Sequence, residues 1–127
     1  MNGRTPRIAV DAMGGDHAPQ EIVAGAALAA REGFGRMLVV GDRSQIAPLL
    51  AEHGDERLEL VHAPAAVPMD ANPAQVVRNS GATSLGVAID LVRDGQADAV
   101  VSAGNSGAFL AIALVRLRTI PGVARPA

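Results

Sequence analysis

The chain contains no cysteine. That excludes disulfides, thiolate zinc sites and a cysteine nucleophile. It contains no lysine either, and all 11 basic residues are arginine. A Walker A lysine, a Schiff-base lysine and a lysine general base are excluded together. Tryptophan and tyrosine are absent, leaving Phe34 and Phe109 as the aromatic side chains. Single-stranded nucleic acid would find no stacking platform here. Nor is there a basic field. The formal net charge is −2, which draws in neither nucleic acid nor an anionic membrane surface. Long apolar runs are missing too: Ile22–Ala30 and Ala108–Val115 fall well short of the ~20 residues that a membrane span needs. Met1 to Arg7 carry basic residues without a sustained apolar run, and read as the start of a mature cytoplasmic protein.

What is present suits one globular unit. Of 127 residues, 49% are hydrophobic and 19% charged, enough for a core but short for two domains. Residues 1–127 are expected to form a single α/β domain. Four apolar runs read as strands: Ile8–Ala12, Met37–Val40, Leu58–Val61 and Ala97–Ala103. Three are almost continuously apolar, as strands covered on both faces are. Leu58–His62 partly alternates and is expected nearer an edge.

Helical patterns lie between them. After Pro19, residues Ile22, Val23, Ala26, Ala27 and Ala30 form one stripe. Ser44–Glu52 is a short helix with Asp42 or Ser44 as N-cap and Gly54 as stop, weakened by Pro48 unless it starts near Ala47. Ala74–Arg78 makes a turn or two. Leu85, Ala88, Ile89 and Val92 form a stripe ended by Gly95, and Leu110, Ala113, Leu114 and Leu117 form another. Strands alternating with helices predict a doubly wound, mainly parallel sheet in an α/β/α arrangement. The strand order does not follow from the sequence. The last helix is apolar all round from Ala108 to Val115, which implies burial on more than one side. Four strands and about five helices do not easily cover it, so a partner chain or the rest of a longer polypeptide is expected to supply the cover and the fold to be incomplete in this chain; the plainer alternative is an ordinary mobile terminus.

Ligands of open parallel sheets bind beyond the carboxyl ends of the strands. After the fourth strand comes Ser102-Ala103-Gly104-Asn105-Ser106-Gly107. Its glycines permit close backbone approach, the helix that follows offers free N–H groups, and Ser102, Asn105 and Ser106 add neutral donors. Such a loop suits a phosphate or a developing oxyanion, although a plain strand-to-helix turn favours the same residue types. After the first strand comes Gly14-Gly15-Asp16-His17. Asp16 and His17 suit acid, base or anion-orienting work. Equally, Asp16 would cap the next helix and His17 would be a surface residue. A metal site from Asp11, Asp16 and His17 has little support from spacing. His53 and His62 read as surface or edge residues. Arg78 follows the long Ala63–Asn72 loop and has the chemistry to grip phosphate bidentately, or to be solvated. Arg116 and Arg118 read as cations at a helix C-terminus. Neither G-x-G-x-x-G after the first strand nor G-x-S-x-G occurs, so a dinucleotide site and a serine-hydrolase elbow lack their signatures.

Ile8–Pro19 (IAVDAMGGDHAP) and Ser102–Ala108 (SAGNSGA) resemble two signatures of the PlsX family of phosphate acyltransferases. Gly122–Ala127 resembles a third, and the match runs over nearly the whole chain. The resemblance implies transfer of an acyl group from acyl carrier protein to inorganic phosphate, giving acyl phosphate for phospholipid synthesis. It implies a layered α/β/α fold, a cytoplasmic homodimer peripherally associated with the membrane, and no metal or organic cofactor. It assigns Asp16, His17 and Asn105 to catalysis, and Gly14, Gly15, Arg78, Ser102, Gly104, Ser106 and Gly107 to substrate or phosphate. Three departures stand out. The lysine-rich run and Ser-Ser-Met that usually follow the family arginine are replaced by Asn79-Ser80-Gly81-Ala82-Thr83-Ser84-Leu85. Ser106 stands where the family usually has Thr. The chain is well under half the family's length and corresponds to its N-terminal portion, so the alternative is a catalytically incomplete phosphate-binding or oligomerising module.

Overall fold

The computed structural model describes residues 4–124. The last three residues of the third signature, 125–127, lie outside the described residues. The elements in chain order are β1 (Arg7–Asp11), α1 (Gln20–Arg31), β2 (Arg36–Gly41), α2 (Arg43–His53), β3 (Leu58–His62), α3 (Pro73–Arg78), a 3-10 turn (Ser80–Ala82), α4 (Ser84–Arg93), β4 (Ala99–Ser102) and α5 (Ser106–Leu117). The sheet is parallel throughout, in the order β3-β2-β1-β4.

That order dictates the layers. From β1 the chain steps outward through β2 to β3, with α1 and α2 packed on one face around Val10, Met37, Val39 and Ile46. It then returns past β1 to place β4 on the far side. Reversing direction across a twisted parallel sheet puts the crossover helix on the other face. There α4 packs Ala88 and Leu91 on Ala9, Leu38 and Val40. Outside it, α3 and α5 close a smaller core around Leu85, Ile89, Ala108 and Ile112. Burying each of these larger aliphatic side chains contributes about 1.5–3 kcal/mol.

Local chemistry fixes the helix ends. Asp42, rather than Ser44, caps α2 by accepting from the Ser44 N–H at 3.1 Å, and Gly54 ends it in the left-handed region. α2 runs from Arg43 through Pro48 instead of starting near Ala47. Pro48 and Ser44, the residue whose carbonyl Pro48 leaves without a helical donor, are both exposed, so water meets that carbonyl. Asn72, Thr83 and Asn105 cap α3, α4 and α5 in the same way.

Two expectations change. The fourth strand is shorter than Ala97–Ala103 and is an edge of the described sheet, with Val101 55% exposed. In α5 the buried face is Ala108 and Ile112, not the Leu110–Leu114–Leu117 stripe, whose leucines are exposed together with Val115. A helix apolar on every side carries no sequence signal for which side packs. β3, the other edge, lies where its partial alternation predicts. Among the described residues no helix is long and apolar enough to cross a membrane.

Candidate functional site

The direction of winding reverses between β1 and β4. In open parallel sheets this is where the loops diverge and leave a crevice. The loop after β1 and the loop after β4 therefore face each other at the carboxyl rim.

They meet over a buried carboxylate. Asp11, the last residue of β1, is 2% exposed. Its Oδ1 accepts from Ser84 Oγ at 2.5 Å and from the Met13 N–H at 3.2 Å. Its Oδ2 accepts from Ser102 Oγ at 2.8 Å. Ser102 Oγ in turn accepts from the Gly104 N–H at 3.1 Å. The hydroxyl proton of Ser102 is thus committed inward, and so is the Gly104 amide. Gly14 lies against this network. A Cβ there would stand 2.6 Å from Asp11 Oδ2, 2.9 Å from Ser102 Oγ and 3.0 Å from the Gly104 nitrogen. Gly15 has φ +109°, and a Cβ on it would meet the Ala103 carbonyl at 3.2 Å. Both glycines are required by the contact between the two loops.

The N-terminus of α5 forms the other side of the rim. Asn105 Oδ1 accepts from the Ala108 N–H at 3.0 Å, and its Nδ2 donates to the Ala71 and Pro68 carbonyls at 3.1 and 3.3 Å. One side chain caps the helix and ties the 63–72 loop beside it. Ser106 and Gly107 are exposed at the first turn, and Gly107 abuts the Pro73 ring. The Ser106 and Gly107 N–H groups, which Asn105 does not reach, have no hydrogen-bond partner among the described residues.

Asp16 and His17 are exposed on the β1 loop, with no side-chain hydrogen bond or ion pair among the described residues. Asp16 does not cap α1, whose N-cap is Pro19. Arg78 is exposed at the far end of α3. α3 starts beside Gly107 and runs down α5 in the same direction, since Ser80 beyond it meets Arg116 near the other end of α5. Arg78 therefore stands about 8 Å along the helix axis from the Pro73 end. The rim loop after β2 is tied to the end of β3: His62 Nδ1 accepts from the Arg43 N–H at 3.1 Å. The Ser44 N–H, donated to the Asp42 carboxylate, holds that carboxyl below its ordinary value. Among the described residues no group of three acidic or histidine side chains gathers as a metal site.

Two features lie beyond the sequence expectations. Spacing offers Asp11 only as a weak metal ligand, although an acid inside an otherwise apolar strand is itself a signal of a buried polar network. Arg116, read as a helix-end cation, is a clamp between helices. It holds Asp90 bidentately at 2.8 and 3.0 Å and donates to Ser80 Oγ at 2.9 Å.

These features define a doubly wound α/β protein whose candidate site lies at the topological switch point of a parallel sheet. Comparison with known proteins bears on the fold and the family. The family described as "Fatty acid synthesis protein" matches residues 6–127. A phosphate acyltransferase of Nostoc sp. is 52% identical over 128 residues, covering 100% of this chain and 38% of that protein. One from Thermobifida fusca is 51% identical over 123 residues, covering 96% of this chain and 34% of that protein. Among solved structures, EutD phosphotransacetylase from Staphylococcus aureus matches with a TM-score of 0.65 at 20% identity, over 97% of this chain and 41% of that one. At that identity the likeness is one of fold. The chain belongs to the fatty acid synthesis protein family, in line with its resemblance to PlsX-type phosphate acyltransferases. It spans little more than a third of the length of these curated relatives.

Proposed function

We propose that this chain carries the phosphate side of an acyltransferase site, in which a fatty acyl group passes from acyl carrier protein to inorganic phosphate. A phosphate oxygen attacks the thioester carbonyl, the C–S bond breaks, and the products are acyl phosphate and the carrier thiol. Near neutral pH phosphate is already partly a dianion, so no strong base is needed. The leaving thiolate is stable enough (pKa about 8.5 for a comparable thiol) that a modest proton donor suffices. Anion binding and orientation remain for the protein to supply, and the step calls on no metal or organic cofactor.

The observation that carries this reading is the meeting of two glycine loops at the switch point. Asp16 and His17 stand exposed on one, and the first turn of α5 opens on the other. In this reading the Ser106 and Gly107 amides and the Ser106 hydroxyl receive the phosphate or the oxyanion. Asp16 and His17 orient phosphate or protonate the departing sulfur. Asn105 acts by holding the α5 turn and the 63–72 loop in place, Ser102 and Gly104 by fixing the loop before it, and Gly14 and Gly15 by letting the loops close. Arg78, reaching from α3, adds positive charge for phosphate or for the carrier. The acting form is a cytoplasmic homodimer, peripheral to the inner face of the membrane.

The test is turnover. The chain is incubated with acyl carrier protein thioester and phosphate, and acyl phosphate is measured. Release of acyl phosphate that falls by about 10²-fold or more in His17→Ala or Asp16→Asn is the expected result. Unchanged rates in both variants would discard those roles. No turnover, with phosphate still shifting the amide resonances of residues 104–107, would reduce the chain to a phosphate-binding module.

A further inference from the structure

We propose that Asp11 is a positioning residue of the rim: it sets the direction of the Ser102 hydroxyl and, through it, the posture of the Gly104 loop. The inference rests on the reading of that rim as an anion site.

The argument is one of hydrogen-bond polarity. A carboxylate only accepts, and a serine hydroxyl has one proton to give. Ser102 gives its proton to Asp11 Oδ2, so it can offer only lone pairs to the loop behind it. The Gly104 N–H is the group that takes one. With that amide turned inward, Asn105 follows as the cap of α5, and the N–H groups of the exposed Ser106 and Gly107 have no partner among the described residues. The other carboxylate oxygen does the same for the opposite loop, through the Met13 N–H. One group therefore grips both walls of the crevice, and Ser84 attaches it to the start of α4.

An apolar residue would be the cheaper occupant of this place. Asp11 ends a buried strand, and a buried carboxylate is tolerated only when fully hydrogen-bonded. The bare Cα of Gly14 leaves the room that Oδ2 and Ser102 occupy. Asp11, Gly14 and Ser102 make sense together and not singly.

Ser84 and Ser102 bind the same carboxylate, which separates positioning from mere stability. Three variants are compared: Asp11→Asn, Ser102→Ala and Ser84→Ala. Asp11→Asn keeps the shape but makes one oxygen a donor, so the Ser102 polarity is lost. Each is titrated with inorganic phosphate by amide chemical shifts. Hydrogen exchange at the Gly104 N–H and the thermal unfolding midpoint are recorded beside it. In the wild type phosphate shifts the amides of residues 14–17 and 104–107. Asp11→Asn and Ser102→Ala are expected to weaken phosphate by about tenfold or more and to speed Gly104 exchange. Ser102→Thr, which keeps the hydroxyl, restores both. Ser84→Ala lowers the unfolding midpoint yet keeps phosphate affinity within about twofold. Should Asp11→Asn fail to fold, Ser102→Ala beside Ser84→Ala decides the matter alone. Equal weakening by the two serine variants, in step with lost stability, would overturn the proposal. So would unchanged Gly104 exchange in Asp11→Asn and Ser102→Ala. If the wild type ignores phosphate, the anion reading falls by itself. Asp11 then keeps its role only if Gly104 exchange quickens in Asp11→Asn and Ser102→Ala but not in Ser84→Ala.

Discussion

At Gly14 a single methyl group would press on a carboxylate oxygen, a hydroxyl and a backbone nitrogen at once. At Gly25, on the exposed face of α1, a methyl would meet nothing within 4 Å. The two positions make opposite predictions. Gly14→Ala is expected to lower stability by about 1–3 kcal/mol through overpacking and to shift the Gly104 amide resonance. Gly25→Ala is expected to raise stability by about 0.5–1 kcal/mol, because it removes a flexible residue from a helix interior. Thermal unfolding of both variants checks the pair, and a Gly14→Ala protein as stable as the wild type would contradict the packing. From sequence, Gly14 and Gly15 were legible as positions of close approach. What they approach was not: spacing cannot distinguish a loop that opens to a ligand from one that closes on its neighbour. Asp16 shows the same limit. An acid shortly before a helix fits a cap, but the structure leaves it exposed.

Among the elements, α5 is held by its ends. At its start Asn105 ties it to the 63–72 loop, and near its finish Arg116 locks it to α4 through Asp90 and to the 3-10 turn through Ser80. The Arg116–Asp90 pair is largely shielded, with side-chain exposures of 22% and 21%. Arg116→Met is therefore expected to cost about 2 kcal/mol, more than a surface pair would, since it removes the two short charge-assisted bonds to Asp90 and leaves that carboxylate only the more exposed Arg93, at 3.3 Å. Denaturant unfolding measures this, and a loss below about 0.5 kcal/mol would place the pair among ordinary surface bridges. The alternation of strands and helices was readable from apolar periodicity, and the helix stops at Gly54 and Gly95 from backbone chemistry. The partner of Arg116 was not readable. Asp90 and Ser80 are 26 and 36 residues away, and no local pattern joins them.

For the whole molecule, exposed apolar side chains gather on two elements. Val101 on β4 and Leu110, Leu114, Val115 and Leu117 on α5 account for half of the large exposed apolar residues among the described residues. Between β4 and α1 runs a groove of about 410 Å³, lined by Ile8, Val10, Ile22, Ala29, Phe34 and Val101. Apolar surface on this scale drives association. The isolated chain is expected to bind an apolar-surface dye while retaining its far-ultraviolet spectrum, and to sediment as more than a monomer. Leu114→Glu with Val115→Lys should reduce both signals. A strictly monomeric wild type that binds no dye would show the surface to be inert. The sequence announced this surplus through the unbroken apolar run of α5, and the parallel character of the sheet through its apolar strands. It was silent on the order β3-β2-β1-β4, because each strand carries too little individuality to name its neighbours.

The order has one more consequence. The two sides of the rim crevice come from distant stretches of sequence, with Asp11 and Ser102 separated by 91 positions. A polypeptide in which β4 has not yet docked has the first wall and nothing to set against it. The crevice comes into being only when β4 settles beside β1. Under the proposed reading, molecules stalled before that step are blind to an oxygen-rich ligand, and such a ligand would favour the docked state.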